Sequence, residues 1–131
     1  MAKLTSDDAF DLSRRYHDLA MAVADHRFDH RKTLKARELK ELEDLQWSLM
    51  NASSDLATHA VGLVLDETQA SLAQLRQATD QARKAIRKLD TAKKVLTIAG
   101  ATLGLAMAVM SKDIGAVASN AKTVLEAVKG A

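Results

Sequence analysis

The sequence predicts an all-α protein: an elongated up-and-down bundle of three to five helices, built on a long antiparallel helical hairpin with coiled-coil-like packing. Its 131 residues include 24 Ala and 18 Leu against eight Val and three Ile, and no Pro. Ala and Leu lose little conformational entropy in a helix, whereas β-branched residues lose more. Apolar residues also recur every three or four positions, which is the period of amphipathic helices. We therefore expect helix throughout and no sheet.

Composition indicates a single globular domain over residues 1–131. The chain is 47% hydrophobic with a net charge of +2, which disfavours disorder. It has no Cys, which excludes thiolate catalysis, disulfides and cysteine-ligated metals. Asp7 and Asp8 stand where a secretory signal would carry its apolar core. We therefore expect a cytoplasmic protein, with membrane association or export without a cleaved signal as the alternatives.

Two helices are predicted in the first half of the chain. The first begins at Thr5 or Ser6, whose hydroxyl can cap the helix while Asp7 and Asp8 meet the positive end of its dipole. Its apolar face, here called the inner seam, consists of Leu12, Tyr16, Leu19 and Val23. A turn is expected within residues 25–33. The second helix follows with a seam of Leu39, Leu42, Leu45, Leu49, Ala52, Leu56 and Leu63, with His59 in phase.

From Leu72 onward the apolar residues follow a heptad repeat, the pattern of helices packed lengthwise. One unbroken helix from 72 to 128 would be about 85 Å long. We therefore expect a break within 111–115, where Ser111 can cap a new helix, or else a long coiled coil with another chain. The residues predicted to mediate self-association or partner binding, called the C-terminal seam, are Leu72, Leu75, Ile86, Leu89, Leu96, Leu103, Met107, Met110 and Val117.

Charge distribution suggests where the chain folds back. Residues 41–71 carry six acids and no Lys or Arg, whereas residues 72–94 carry seven bases and two acids. A turn at 66–69 would lay the acidic helix along the basic one. Exposed ion pairs contribute only about 0.2–1 kcal/mol each, so the charges would select the pairing and the apolar seams would stabilise it.

The basic residues after Leu72 allow a second interpretation. Arg83, Arg87, Lys93 and Lys94 are candidate contacts to an anionic surface, as part of a ridge with Arg76, Lys84 and Lys88. Nucleic acid is a disfavoured partner, because aromatic residues make up 3% of the chain and no DNA-binding motif is visible.

Residues that could carry chemistry are few. His26 and His30 stand one helical turn apart and are weak candidates for binding zinc or nickel. A third ligand at a recognisable spacing is missing. No nucleophile, phosphate-binding loop or matched carboxylate pair is visible in the sequence, so we expect no enzyme activity, no cofactor and no small-molecule substrate.

The segment 95–110 is uncharged and, as a helix, nearly long enough to cross a bilayer. Gly100 and Gly104 form a GxxxG pair on either side of Leu103, a surface on which two helices can approach closely. In one interpretation the segment is the central helix of a bundle, enclosed by its neighbours. In the other it enters a membrane.

The sequence therefore predicts a non-enzymatic protein-interaction module, an adaptor, chaperone, inhibitor or structural subunit that acts by helix-on-helix contact. Self-association into a homo-oligomer is expected, because so long a seam in a small chain leaves apolar surface to cover. The alternative is a membrane-active or membrane-anchored protein that inserts 95–110. Trp47 is expected at the edge of the core with its ring reaching solvent, or as an anchor in a partner's groove.

Overall fold

The computed structural model describes residues 2–66 and 68–131, and within them it contains five helices and one very short strand pair. The helices are α1 (Ser6–Asp29), α2 (Ala36–His59), α3 (Leu72–Lys88), α4 (Ala92–Ser111) and α5 (Ile114–Lys129). The strands are β1 (Ala2–Lys3) and β2 (Val64–Leu65). The predicted all-α bundle is therefore confirmed.

The long antiparallel hairpin, which the sequence analysis placed around a turn at 66–69, is formed instead by α1 and α2, with its turn before Ala36. Thr5 caps α1 as predicted: its hydroxyl accepts from the backbone N–H of Asp8, whose carboxylate accepts from the backbone N–H of Thr5. Across the hairpin, the hydroxyls of Ser13 and Ser53 each donate to the backbone carbonyl of the other, at 2.6 Å. Nearer the turn, Arg27 forms an ion pair with Glu43. α1 extends to Asp29, so the turn takes up the later part of the expected 25–33 and continues to Lys35.

The remaining helices continue the up-and-down order around α4. Ion pairs join Asp11 to Arg76 and Asp25 to Arg87, so α3 runs parallel to α1. α4 contacts all four other helices. The buried hydroxyl of Tyr16 donates to the backbone carbonyl of Thr102 at 2.7 Å, which ties the inner seam of α1 to α4. Burial raises the pKa of Tyr16, so the phenol keeps the proton that it donates.

The chain does turn back in the region of 66–69, but the prediction that this turn lays α2 along α3 is wrong. α2 ends at His59, and residues 60–71 form a longer connection, in which Glu67 lies outside the described residues. α2 and α3 make little contact, because α2 packs on α1 and α4 while α3 packs on α1 and α5. The acidic segment therefore does not lie along the basic one. Arg76 and Arg87 of the basic segment pair instead with Asp11 and Asp25 of α1.

Two helix breaks follow Leu72, of which the sequence predicted one. Lys112 adopts the left-handed conformation at φ 59°, and Asp113 caps α5 by accepting from the backbone N–H of Ala116. The break within 111–115 is thus confirmed, although Asp113 is the cap and Ser111 is the last residue of α4. The break between α3 and α4 at 89–91 was not expected, because the heptad repeat runs through it without interruption.

The expectation of no sheet is corrected by one small element. Ala2 and Lys3 pair antiparallel with Leu65 and Val64. This pairing uses backbone atoms, and the side chain that it positions is Leu4, which is buried. A two-residue strand carries no alternating pattern that a sequence analysis could detect. The pair fastens the start of the chain to the connection after α2.

The two glycines of the GxxxG pair provide a matched test of packing on α4. A Cβ at Gly100 would have no described atom within 4 Å, whereas a Cβ at Gly104 would lie 3.0 Å from Oδ1 of Asn120 on α5. We predict that Gly100→Ala raises the free energy of unfolding by about 0.5–1 kcal/mol, the ordinary gain for Gly to Ala in a helix. Gly104→Ala should gain less or lose stability, because Asn120 must move. Urea denaturation measures both, and a larger gain at Gly104 would contradict the packing.

Candidate interaction surface

The structure places most of the C-terminal seam in the core of the single chain. Leu75, Ile86 and Val117 are fully buried. Leu72, Leu89, Leu96, Leu103 and Met110 are partly buried against the core, and Met107 is 61% exposed. The most exposed residue that this seam leaves to a partner or a second copy is Met107 on the outer side of α4.

That outer side of α4 is a narrow stripe between α2 and α5. It contains the exposed Thr97, Gly100 and Met107, with Leu103 and Gly104 half-buried beside them. α4 is the one described helix that is long and apolar enough to cross a membrane, with a mean hydropathy of 1.6 over its apolar stretch. Only 44% of that stretch is buried in the bundle. The bundle interpretation expected residues 95–110 to be enclosed on every side, and they are not.

The four candidate anion contacts do not form one ridge. Arg87 is ion-paired with Asp25 at 2.9 Å, and Arg83 lies half-buried in a cavity beside Asp11, Asp18 and Asp80. Lys93 and Lys94 are exposed at the start of α4, beyond the break at 89–91. The break separates the two pairs, which stand on different helices.

His26 and His30 lie together, but in a geometry that does not suit one metal ion. Their rings stack, with centroids 4.3 Å apart. Nδ1 of His30 lies 3.0 Å from the backbone carbonyl of His26, which occupies one of its two nitrogens. Among the described residues no group of three or more His, Asp or Glu side chains is placed to hold a metal ion. Stacked rings direct their nitrogens sideways, so the pair is better described as a packed contact.

A surface that sequence analysis missed lies on the solvent side of α1. Phe10 and Phe28 are 60% and 64% exposed, at opposite ends of the helix. From Phe10 to Phe28, one side of the helix presents residues spaced alternately four and three positions apart, which is the heptad spacing of a helix contact. This outer seam consists of Phe10, Arg14, His17, Met21, Ala24 and Phe28. All except the half-buried Ala24 are exposed.

Trp47 of α2 extends this surface. The Ser13–Ser53 and Arg27–Glu43 contacts fix the register of the hairpin, and that register brings Trp47 level with Met21. The helical period turns Trp47 to the same side of the hairpin as the outer seam. Its side chain is 57% exposed, which agrees with the expected position at the edge of the core. The outer seam together with Trp47 is called the hairpin face below.

The side of α1 toward α3 is already occupied by ion pairs. Asp11 accepts from both Arg15 and Arg76 at 3.0 Å. Burial of Asp11 opposes ionisation, but these two hydrogen bonds outweigh it and lower the pKa of the carboxyl. Arg15 also reaches Asp80 of α3. The network holds α1 on α3. Of the hairpin-face residues only Arg14 borders it, lining a cavity with Asp11 and Asp80.

Geometry thus defines a class of protein, a five-helix bundle with exposed apolar helix faces and no assembled catalytic or metal centre among its described residues. Comparison of the chain with protein families, with curated proteins and with solved structures gave no match in any of the three.

Protonation of His26 should make stability depend on pH. Its side chain is 4% exposed, and neither ring nitrogen has a hydrogen-bond partner in the described structure. Burial and then the neighbouring His30 lower the pKa of His26 below its ordinary 6.5, against smaller opposing effects of the Leu89 carbonyl and of the carboxylates of Asp29 and Asp90. The unfolded chain therefore takes up the proton at a higher pH than the folded chain. We predict that stability falls as the pH drops below about 6.5 and that this loss levels off below the folded-state pKa.

Urea denaturation at pH 7.5 and 5.5 measures this loss. His26→Leu should lose less stability between the two values than the unchanged chain does. His17→Gln, at an exposed position, serves as the control and should behave like the unchanged chain. An equal loss in all three proteins would contradict the assignment to His26.

Proposed function

We propose that this protein is a non-enzymatic helical interaction module, an adaptor, chaperone, inhibitor or structural subunit, whose hairpin face binds a helix of another protein chain. The observation that carries the proposal is the exposed heptad spacing of Phe10, Met21 and Phe28, with Trp47 alongside. Single exposed apolar residues are ordinary on protein surfaces. Large ones in register along a helix are the pattern that another helix recognises.

The hairpin face has the composition of a binding site. Aromatic side chains are the most frequent anchors of protein interfaces, and three of the four Phe, Tyr and Trp residues of the chain stand on this surface. Tyr16 is the exception and is buried. Asp18, which is exposed beside the seam, would form part of a polar rim. A partner helix with apolar residues at heptad spacing would cover about 27 Å of α1, from Phe10 to Phe28.

A photo-crosslinking amino acid in place of Trp47 tests the proposal in cells that naturally produce the protein. We predict covalent adducts at this position that disappear in the Phe10→Ser/Phe28→Ser variant. Because both Phe are exposed, that variant should keep its free energy of unfolding within about 0.5 kcal/mol. The matched control is the same amino acid in place of Met107, which is similarly exposed on another face. Absence of adducts at position 47 in a folded chain would contradict the proposal.

A second candidate function is membrane insertion of residues 95–110, and the length and hydropathy of α4 favour it. Insertion would require α4 to leave all four of its neighbours and to break the Tyr16–Thr102 hydrogen bond. Lys93 and Lys94 at its exposed start would then meet anionic head groups. The bundle would have to open first, so this function needs a trigger that the binding function does not.

Flotation with vesicles that contain phosphatidylglycerol, at low and at high salt, tests the second candidate. If α4 inserts, the protein floats and Met107→Asp abolishes flotation without unfolding the chain, because Met107 is exposed. Leu103→Asp is the contrasting variant. Leu103 packs partly against the core, so a charge there should also lower the melting temperature. A protein that stays at the bottom of the gradient under both conditions would exclude this candidate.

A further inference from the structure

We infer that a second copy of this chain occupies the hairpin face, packed antiparallel so that Phe10 of each copy meets Phe28 of the other. This inference rests on the proposed function and names its partner. Three independent features of the described residues support it: the symmetry of the outer seam, the charges beyond its two ends, and the position of Trp47 along the length of α1.

The outer seam is nearly symmetric about the level of Leu19. Its two ends are both Phe, and the positions next to the centre are His17 and Met21. The remaining pair combines the long side chain of Arg14 with the small Ala24. A twofold interface requires a patch that complements itself. In an antiparallel pair, Phe10 therefore contacts Phe28, and Arg14 lies over Ala24 of the other copy.

Charges at the ends of the seam select the antiparallel direction. Asp7 lies one turn before Phe10 and is exposed, while Arg31 and Lys32 follow Phe28 and are exposed. The guanidinium of Arg31 lies 4.3 Å from the centre of the Phe28 ring, so this charge is part of the surface. An antiparallel pair brings Asp7 of each copy to Arg31 and Lys32 of the other. A parallel pair would set Asp7 beside Asp7, which is unfavourable.

Trp47 lies close to the expected twofold axis. It is level with Met21, two residues or about 3 Å along α1 from the Leu19 level. The two Trp47 side chains would therefore approach each other at the centre of the interface, which is where anchor residues are usually found. The two α1/α2 hairpins then stack face to face as four helices.

The exposed stripe of α4 fits a second copy less well. Lys93 and Lys94 stand at its start. The positions related to them by symmetry about Gly100 and Gly104 are Ser111 and Met110, which carry no acidic group. The nearest acid, Asp113, caps α5 and directly follows Lys112, so self-pairing through α4 would bring lysines near each other.

Sedimentation velocity across a concentration series tests the inference on the full chain. We expect a dimer with a dissociation constant in the range of about 1–100 µM, typical of modest interfaces. Phe10→Ser/Phe28→Ser should raise this constant at least about 100-fold, because it removes both ends of the seam. Met107→Ser, at an equally exposed residue of α4, should leave it within about twofold. Circular dichroism confirms that each variant is folded.

Charge exchange tests the direction of packing. Asp7→Lys and Arg31→Glu/Lys32→Glu each place like charges together at both ends of the dimer, so each should weaken dimerisation about tenfold. An equimolar mixture of the two variants restores opposite charges at both ends and should form a heterodimer as tight as the unchanged dimer. Restoration in the mixture is not expected if the variants merely destabilise the fold.

Introduced cysteines give the register directly, because the natural chain has none. A mixture of Arg14→Cys and Ala24→Cys chains should form a disulfide between copies under mild oxidation. Arg14→Cys alone should not, since the two copies of residue 14 would lie about 15 Å apart along the helix. Disulfide formation by Arg14→Cys alone, as fast as in the mixture, would overturn the antiparallel register.

Failure of the inference can be told apart from failure of the proposed function. A chain that stays monomeric at every concentration, yet gives adducts at position 47 with another protein in cells, would overturn self-association and keep the interaction module. A monomer without adducts would overturn both. A dimer weakened by Met107→Ser, and unaffected by Phe10→Ser/Phe28→Ser, would move the interface to α4 and overturn the inference.

Discussion

The structure depends on the need to cover α4. Residues 95–110 carry no charge, and a helix of this composition exposed on all sides in water would leave a large apolar surface unburied. Four helices surround it incompletely: α5 and α2 make the largest contacts, α3 a smaller one and α1 the smallest. The order of the other helices follows from this arrangement. α2 and α5 flank α4, and α1 and α3 complete the bundle, so sequence neighbours α2 and α3 are kept apart.

Polar groups inside the bundle fix its register where apolar contacts alone would allow sliding. The reciprocal Ser13–Ser53 hydrogen bonds set the height of α1 against α2. The Tyr16 hydroxyl sets α1 against Thr102 of α4. Each such bond contributes only about 0.5–1.5 kcal/mol, but an alternative register would leave these partly or fully buried polar groups unpaired. Packing therefore supplies most of the stability, and a few hydrogen bonds select one alignment.

Sequence periodicity predicted much of the fold and little of the surface. The cap at Thr5, the inner seam of α1 and the break near residue 113 could be predicted because each depends on local chemistry. The choice of neighbours could not, since Leu seams on five helices are chemically alike and exposed charges are too weak to decide between them. The break at 89–91 escaped prediction because Leu89 and Leu96 keep the heptad spacing across it. The short strands depend on backbone pairing that leaves no pattern.

The sequence analysis did not detect the hairpin face, for a different reason that also concerns its role. α1 carries two heptad seams: the inner one, and the outer one about 150° away around the helix at 100° per residue. The inner seam explains the fold completely, so Phe10 and Phe28 look like ordinary surface residues. Tyr16 of the inner seam bonds to α4, whereas Ser13 and Asp11, which contact α2 and α3, lie on the flanks of α1 between the two seams. Folding of one chain therefore leaves the large side chains of the outer seam exposed. Phe10, Met21 and Phe28 stay exposed in the single chain, and their regular spacing is the basis for the proposal that a helix from another chain covers them.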